Sequence, residues 1–516
     1  MKKNYWKAAA LGGSIFSLAV LNVPTVFAAN SSMMGVGNIN QLNQNFVVSS
    51  TVDPTNGDNN PYAVVVDNRP GSTTYGEIFV SNFSNKAGTN GAGTTIERIV
   101  AGKPVPFVTN ANGPAAMAFS PKGPLWIANF GQNGTDGNVQ VTKPNGTSFG
   151  QGGWITNPVL KGPWGQAFAP AYTTSNGSTV PAAFFATGAQ NGTVVAMFGF
   201  SPPDFQTTTH FIVLGSGLAK SGWGANNIEG PQGMAYDTMT HTLYVTDTAD
   251  NSIRAFQWDG TASKNQGMGK LVYQNGLLNK PAGLTIDPVN GDLLVVNQGN
   301  NDLIQLRILP NGKAQPVAKV VLDKTPVNPK TGAGSALFGI AASKDASGNL
   351  VVYYTDDNSN TVNELDYQPS LQITGKMQMM MQVNQQTVET PYVYQTQAMD
   401  MGKSEWYVPV YYLQQALHAM NFSSTWNGST LNISTSSQMS SMMSKDIPSS
   451  LGDPLTSATL MVNGTYAGIV RKMVENDPYT GKPTTYVCLS DLTSVLENAG
   501  ISLQLSNDSL NLSMSH

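Results

Sequence analysis

A short sequence pattern recurs six times between Asn60 and Tyr367. In each copy a Gly/Pro turn precedes a strand of small apolar residues. A second apolar strand follows, and in most copies it ends in Asn or Asp. The two clearest copies span residues 230–247 and 280–297. A unit of this size forms one small sheet and cannot bury both of its faces by itself. Stacked neighbours have to cover those faces, so the repeat predicts a solenoid or a propeller.

The spacing of the copies narrows this choice. Four-stranded propeller blades need about 40–50 residues each, and the six copies fit that spacing with loop insertions. We therefore predict an all-β six-bladed β-propeller over residues 30–369. The sixth copy lacks an outer strand of its own, so we expect residues 45–50 to pair into it and close the ring. The inner strands are predicted to begin at Pro61, Pro114, Pro163, Pro231, Pro281 and Leu337.

Polar side chains stand at the ends of the predicted second strands. A short polar side chain there can bond the backbone of the turn that follows, and this is the interpretation we favour. A ring that holds a metal or performs catalysis is the alternative. The residues are Asn82, Asn129, Thr187, Asp247, Asn297 and Asp356.

The first 29 residues have the features of a secretory signal peptide. Lys2, Lys3 and Lys7 form a basic start, an apolar run follows, and small residues mark a cleavage site near Ala28/Ala29. The apolar run is too short and too interrupted to anchor the mature chain in a membrane. No later segment predicts a transmembrane helix, so we expect a secreted or cell-surface protein.

Charge is scarce in this chain. Charged residues make up 11% of it, against about 25% in ordinary soluble proteins. No Lys/Arg cluster is present, which argues against nucleic acid as a partner. Acid removes the stabilisation that paired carboxylates supply, so a surface solvated by amides and hydroxyls suggests, as a hypothesis, an acidic external habitat. Cys488 is the only cysteine, so no intramolecular disulfide can form.

The turn Gly-Pro-x-Gly-(Ile/Leu/Met)-Ala-x-Asp and the strand Leu-Tyr-Val-Thr-Asp resemble the NHL-repeat propeller family. Related enzymes, the gluconolactonase and senescence-marker-protein propellers, hold a divalent metal with Asn, Asp and Glu at the starts of their inner strands. A hard divalent ion needs several oxygen ligands, usually including charged ones, and the corresponding positions here hold no carboxylate. The comparison implies no metal, no cofactor and no catalytic residue there. The positions are Tyr62, Ala115, Trp164, Gln232, Ala282 and Phe338.

Tyr62, Trp164, Gln232 and Phe338 remain as candidate ligand-binding residues at the channel mouth. Aromatic rings and an amide suit a neutral ligand such as a glycan or a peptide, held by stacking and hydrogen bonds. The alternative is that these side chains only fill the narrow end of the channel. If the mouth binds a ligand, Trp164→Ala is expected to weaken binding.

A different pattern begins at Leu371, where we predict a C-terminal α+β domain over residues 370–516. Two related units of ββαββ type, about 371–435 and 455–516, make up this domain. The motif Tyr-Val-Pro-Val, followed by paired leucines and by Trp-Asn-Gly-Ser-Thr-Leu-Asn-Ile, resembles the copper-amine-oxidase-N-terminal-like domain. That resemblance implies a non-catalytic stalk without copper chemistry. The first helix is predicted to carry an apolar face on Leu413, Ala416, Leu417 and Met420.

Met377, Met379 and Met381 alternate along one predicted strand at the start of this domain. Thioether ligands select Cu(I), so a soft-metal cluster is one interpretation. Methionine also fills irregular gaps in hydrophobic cores, and this is the interpretation we favour.

Together these features predict an exported, non-catalytic binding or scaffold protein with a C-terminal stalk for surface association. Cell-wall glycan, a peptide or another surface protein are the expected partners. The alternative is a divergent lactonase-like hydrolase. The propeller's two histidines do not favour it, because His210 is expected at a strand edge and His241 in a turn.

Overall fold

The computed structural model describes residues 36–132, 136–221, 228–260, 265–345, 347–367, 371–398, 404–434, 457–498, 500–506 and 508–514. The signal peptide predicted for residues 1–29 lies outside them. Across these residues, no helix is both long and apolar enough to cross a membrane.

Six four-stranded antiparallel sheets follow one another along the chain. Strand β1, Gln44–Ser50, precedes them all. The first sheet contains β2 (Asn59–Val66), β3 (Ile78–Ser84), β4 (Ile96–Val100) and β5 (Lys103–Val108). The second contains β6 (Pro114–Phe119), β7 (Leu125–Asn129), β8 (Asn138–Val141) and β9 (Trp154–Ile155). The third contains β10 (Pro163–Ala169), β13 (Ala183–Gly188), β14 (Thr193–Phe198) and β15 (His210–Ser216), with the hairpin β11 (Tyr172–Thr173) and β12 (Thr179–Val180) inserted and the short helix α1 (Phe205–Thr208) before β15.

The remaining three sheets follow the same plan. The fourth contains β16 (Pro231–Asp237), β17 (Thr242–Asp247), β18 (Ser252–Gln257) and β19 (Lys270–Gln274). The fifth contains β20 (Pro281–Ile286), β21 (Leu293–Asn297), β22 (Asp302–Ile308) and β23 (Ala314–Val321). The sixth contains β24 (Leu337–Lys344), β25 (Leu350–Asp356), β26 (Thr361–Asp366) and, as its fourth strand, β1. Single turns of 3-10 helix occur at Ile39–Gln41, Gly150–Gly153 and Thr248–Asp250.

The inner strands form a closed ring. Strands β2, β6, β10, β16, β20 and β24 contact one another in this order, and β24 contacts β2. The six sheets are therefore the blades of a propeller, as the repeat predicts. Strand β1 pairs antiparallel with β26, from Gln44 opposite Asp366 to Ser50 opposite Thr361. This confirms the predicted closure by a strand from the start of the chain.

Hydroxyl groups on the second strands link neighbouring blades. Each inner strand loses its ladder pairing for two residues near its start. In blade 4, Thr246 Oγ1 fills this gap: it accepts the N–H of Gly233 at 2.8 Å and donates to the carbonyl of Ala282 in blade 5 at 2.7 Å. The equivalent N–H groups of blades 1, 3 and 6 are bound by Ser81, Thr187 and Thr355.

Glycine is required where neighbouring inner strands approach most closely. A Cβ atom on Gly233 would lie 2.2 Å from the carbonyl oxygen of Ala282, and one on Gly165 would lie 1.9 Å from that of Gln232. The Gly of the recurring Pro-x-Gly thus lets the next blade pack against the backbone.

The polar residues that end the second strands mostly fix the connection that enters their own blade. Asn82 donates to the carbonyl of Thr51 at 2.8 Å, and Asp247 accepts the N–H of Ala219 at 2.7 Å. Asn297 makes the equivalent bond in blade 5. The predicted bond to the following turn is present for Asp356, which accepts the N–H of Ser359 at 3.1 Å, and for Asp247, which also accepts the N–H of Ala249. It is wrong for Asn82 and Asn297. Their partners lie between the outer strand of the preceding blade and the inner strand of their own.

The same position in blade 3 is displaced by one residue from the prediction. Gly188 lies opposite Pro163, as Asn82 lies opposite Pro61 in blade 1. Thr187 is therefore one of the hydroxyl groups that bind an inner-strand N–H, and it does not end its strand. The cause is that blade 3 has a glycine where the other five blades have Asn or Asp, so the polar side chain that marks this position is missing from the sequence.

The described residues between 371 and 514 form two sheets and two helices. The larger sheet has the order β27-β30-β31-β36-β35-β34-β33-β32, and the smaller one β29-β28-β38-β37. The first half contains β27 (Leu371–Gln378), β28 (Met380–Val383), β29 (Gln386–Glu389), β30 (Tyr392–Ala398), β31 (Ser404–Pro409), α2 (Val410–Ala419), β32 (Ser423–Trp426) and β33 (Thr430–Ser434). The second contains β34 (Ser457–Val462), β35 (Thr465–Asn476), β36 (Pro483–Cys488), α3 (Leu489–Asn498), β37 (Ile501–Leu505) and β38 (Ser509–Met514).

The two halves of this region exchange strands. Strands β31 and β36 pair antiparallel, with Val408 opposite Val487, and these two valines occupy the same place in the two related units. Strand β28 lies parallel to β38, and β33 lies parallel to β34. Each half thus completes a sheet begun by the other, and the leucines of α2 and α3 share one core.

The methionines at the start of this region take part in that core. Met379 and Met381 are buried within it, and Met377 packs against it. These contacts support the core-filling interpretation of the three thioethers. Met399, Met401, Met439, Met442 and Met443 lie outside the described residues.

Candidate functional site

A pocket of about 340 Å³ lies at the end of the channel where the inner strands begin. Its floor contains all four candidate residues: Tyr62, Trp164, Gln232 and Phe338. They come from blades 1, 3, 4 and 6, and each stands directly after the first residue of its repeat. The other two floor positions are the buried Ala115 and Ala282. These alanines leave space for the larger side chains of the neighbouring blades.

The aromatic rings of the floor pack against one another. The Tyr62 ring stacks on Phe338 with a centroid separation of 4.9 Å and meets the edge of Trp164 at 4.6 Å. Phe83 and Phe130 contact Trp164 at 5.2 and 5.0 Å. Trp164 is only 3% exposed, whereas Phe338 is half-buried. Phe338 is therefore the ring of the floor that a ligand can reach most readily.

A chain of hydrogen bonds fixes the floor. Trp164 Nε1 donates to Tyr62 Oη at 2.5 Å, Tyr62 Oη donates to Gln232 Oε1 at 2.9 Å, and Gln232 Nε2 donates to the carbonyl of Ile228 at 3.2 Å. Burial raises the pKa of Tyr62 far above its ordinary value, against the opposing effect of the Trp164 bond. Tyr62 therefore stays neutral and is no candidate for a general base.

The floor is also a septum. A second chamber of about 230 Å³ lies further along the inner strands, and the same four side chains line it. Tyr62, Trp164, Gln232 and Phe338 thus divide the channel into two compartments. The interpretation that they fill a narrow part of the channel and the interpretation that they form the base of a ligand pocket both fit this arrangement.

An ion pair stands on the rim of the mouth pocket. Lys280 Nζ lies 2.6 Å from Glu229 Oε1, and Ser221 Oγ donates to Glu229 Oε2 at 2.8 Å. Burial works to raise the pKa of Glu229, but these two bonds outweigh it and the pKa is lowered. Burial, together with the charge of Asp356, raises the pKa of Asp357 to about 6. The rim therefore gains negative charge as the pH rises through 6.

Amide side chains supply most of the remaining polar surface of the rim. Gln298 stands on the connection after β21, and none of the described residues bonds its side-chain amide. The connection between β23 and β24 covers one side, where Asn301 Nδ2 holds the carbonyls of Thr325 and Gly334 at 3.2 and 2.8 Å. The rim amides are Asn60, Asn90, Asn279, Gln298 and Asn328. The sequence prediction considered only the positions directly after the first residue of each repeat, and it therefore missed this set.

The two histidines of the propeller lie away from this pocket. His241 has a left-handed backbone with φ of 54° in the turn before β17, as expected for a turn residue. Its ring stacks on Tyr172 at 3.5 Å. His210 begins the outer strand of blade 3, as expected for a strand-edge residue. Within the described part of the chain, no group of three or more His, Cys, Asp or Glu residues is placed to hold a metal ion.

Comparison with known proteins finds similar solved structures, all of low sequence identity. No family model matches the chain, and no curated protein matches it. A gluconolactonase from Xanthomonas campestris is 11% identical, with 63% of this chain and 89% of that chain covered and a TM-score of 0.38. A calcium-binding regucalcin from Agrobacterium tumefaciens is 12% identical, with 62% of this chain and 93% of that chain covered and a TM-score of 0.35. A chain of a nidogen/laminin complex is 18% identical, with 57% of this chain and 86% of that chain covered and a TM-score of 0.35. Similarity this low assigns no function. The assignment of the propeller fold depends on the sheet order and on the closed ring of inner strands.

Proposed function

We propose that this chain is an exported, non-catalytic binding protein whose mouth pocket takes a neutral polar ligand, such as a glycan or a short peptide. The observation that carries the proposal is the combination of a packed, hydrogen-bonded aromatic floor and an amide-rich rim in one pocket. Pockets that bind small molecules occupy about 300–1,000 Å³, and the 340 Å³ mouth pocket suits about one or two sugar or amino-acid units.

The charges around the pocket favour a neutral ligand. The described lining contains two lysines, Lys280 and Lys330, and two carboxylates, Glu229 and Asp357. Lys280 and Glu229 neutralise each other. A ligand with a net charge would meet no surplus of the opposite sign, whereas hydroxyl and amide groups would find partners such as Gln298.

The chemistry of the lining favours binding over catalysis. Neither histidine nor cysteine occurs among the described residues that line the pocket. The floor side chains bond one another, so none is available as an activated nucleophile. Export and a stalk role for residues 370–516 complete the proposal. Export is supported by the features of the first 29 residues, and the stalk role by the resemblance of the C-terminal motifs to a non-catalytic module.

A glycan and peptide array tests the proposal directly. The full chain without its first 29 residues is expected to select a family of neutral glycans or peptides. In parallel, turnover of a panel of lactones is measured with and without a chelator. Chelator-sensitive lactone turnover would instead establish the lactonase-like alternative. Selection of charged ligands alone would contradict the neutral-ligand proposal.

A further inference from the structure

A second ring of side chains lies two residues beyond the floor on each inner strand. Position by position, this ring is as regular as the floor, because it follows the same repeat. Five of its six members are apolar: Val64, Met117, Met234, Leu284 and Ile340. The sixth, in blade 3, is Gln166. All six line the second chamber, on the far side of the septum from the mouth pocket.

Gln166 is buried without a partner. Gln166 is only 6% exposed. Neither its Nε2 nor its Oε1 atom has a hydrogen-bond partner among the described residues. Gln232 differs, because its two amide atoms bond Tyr62 and Ile228. A buried polar group without a partner opposes folding, because it has given up its hydrogen bonds to water. Five blades show that an apolar side chain fits this place, so the amide opposes stability unless something outside the chain bonds it.

We propose that the second chamber is a binding site for a small neutral ligand with an apolar body and a head group that both donates and accepts hydrogen bonds. A primary amide or an alcohol has this chemistry. Gln166 Nε2 donates to the oxygen of the head group, and Gln166 Oε1 accepts its N–H or O–H. The apolar body packs against Met117, Met234 and Ile340.

The lining of the chamber supports a neutral ligand. It contains no charged side chain among the described residues, so an ion would lose its hydration without gaining a counter-charge. Asn68 and Thr285 line the chamber away from the septum. The septum of Tyr62, Trp164, Gln232 and Phe338 separates this site from the mouth pocket, so the two sites can be tested independently.

Three probes with the same four-carbon chain test the head-group requirement. Butyramide and 1-butanol donate and accept hydrogen bonds, whereas butyronitrile only accepts them. Each is titrated into the full chain and followed by saturation-transfer NMR. We expect butyramide and 1-butanol to bind, and butyronitrile to bind several-fold more weakly. If water alone occupies the chamber, neither butyramide nor 1-butanol binds, and the proposal is overturned.

Gln166→Met tests the role of the amide. Methionine already occupies this place in blades 2 and 4, so the variant completes an apolar ring. We expect it to weaken butyramide binding at least tenfold and to raise the melting temperature, because an unpartnered amide is removed. Equal butyramide affinity in Gln166→Met and the parent chain would overturn the proposal. Gln315→Ala, exposed on the outer strand of blade 5 and outside both pockets, is the control and should leave butyramide binding unchanged.

Discussion

Glu97, in strand β4, makes the stability of the propeller depend on pH. Its side chain is fully buried, and Asp53, 2% exposed, faces it. Asp53 keeps its charge because Thr55 and the N–H of Asn56 bond its Oδ1 at 2.5 to 2.9 Å. Burial first, and then the contact with Asp53, raise the pKa of Glu97 to about 8. Glu97 therefore holds a proton in the folded protein at neutral pH.

The sign of the effect follows from proton linkage. In the unfolded chain Glu97 has an ordinary pKa of 4.5, so between pH 4.5 and 8 the folded state binds more protons than the unfolded state. The free energy of unfolding therefore falls as the pH rises through this window. One pKa unit corresponds to about 1.4 kcal/mol. With allowance for relaxation around a buried carboxyl pair, we expect a loss on the order of 2–4 kcal/mol between pH 5 and 8.

The substitution Glu97→Gln isolates the contribution of Glu97 to the pH dependence of the free energy of unfolding. The amide of glutamine is neutral at every pH and can donate to Asp53 as protonated Glu97 does. Urea unfolding, followed by tryptophan fluorescence at pH 5, 6.5 and 8, should show a clearly smaller loss of stability in the variant. A residual loss is expected, because burial also raises the pKa of Asp247 to about 7 and of Asp287 to about 6.

Asp323→Asn is the matched control. Burial opposes ionisation of Asp323, but hydrogen bonds from Thr325 and Asn358 lower its pKa. The stability it contributes is lost only as the pH falls below about 4, so this variant should keep the parent's loss between pH 5 and 8. A parent protein that is as stable at pH 8 as at pH 5, or a Glu97→Gln variant with the parent's slope, would refute the reasoning. A greater stability at pH 5 would accord with the hypothesis of an acidic habitat.

Three further predictions concern the fold. Deletion of residues 36–50 removes β1 and leaves β26 as an unpaired edge, so the melting temperature should fall sharply or the protein should aggregate; an unchanged melting curve would contradict closure by β1. Gly233→Ala places a Cβ atom 2.2 Å from the carbonyl oxygen of Ala282 and should cost more than about 2 kcal/mol in urea unfolding, and a neutral effect would show that the blades can separate at no cost. A protease site inserted between residues 435 and 456 should be cut without release of the C-terminal half on gel filtration, because β28–β38 and β33–β34 tie the halves together; separation of the halves would disprove the strand exchange.

The repeat predicted the propeller, its closing strand and the floor, because all of these follow a regular spacing. Tyr62 and Trp164 stand at equivalent places in two copies, so alignment alone brings them to one end of the channel. The hydrogen bond between these two side chains could not be predicted from the sequence, because it joins blades that are not neighbours. The rim residues Lys280 and Gln298 were missed because the prediction took only the positions directly after the start of each inner strand, whereas Lys280 precedes β20 and Gln298 follows β21.

Gln166 illustrates a different limit. The aligned copies place it among five apolar residues, and that contrast is visible in the sequence. Whether a buried amide finds a partner depends on atoms from several blades, and only the folded structure shows that Gln166 has none. Thr187 is displaced from the predicted strand end because blade 3 has Gly188 at the position where the other blades carry Asn or Asp.

Calorimetric titration of the mouth pocket tests the central claim most directly. The strongest neutral ligand from the array is titrated into the parent chain, Gln298→Ala and Gln315→Ala. Gln298 is on the rim of the pocket, whereas Gln315 is exposed on the outer strand of the same blade. Loss of a hydrogen bond to the ligand should weaken binding about 3- to 10-fold in Gln298→Ala, with no change in Gln315→Ala. Equal affinity in all three proteins would contradict the proposal that this ligand binds at the mouth.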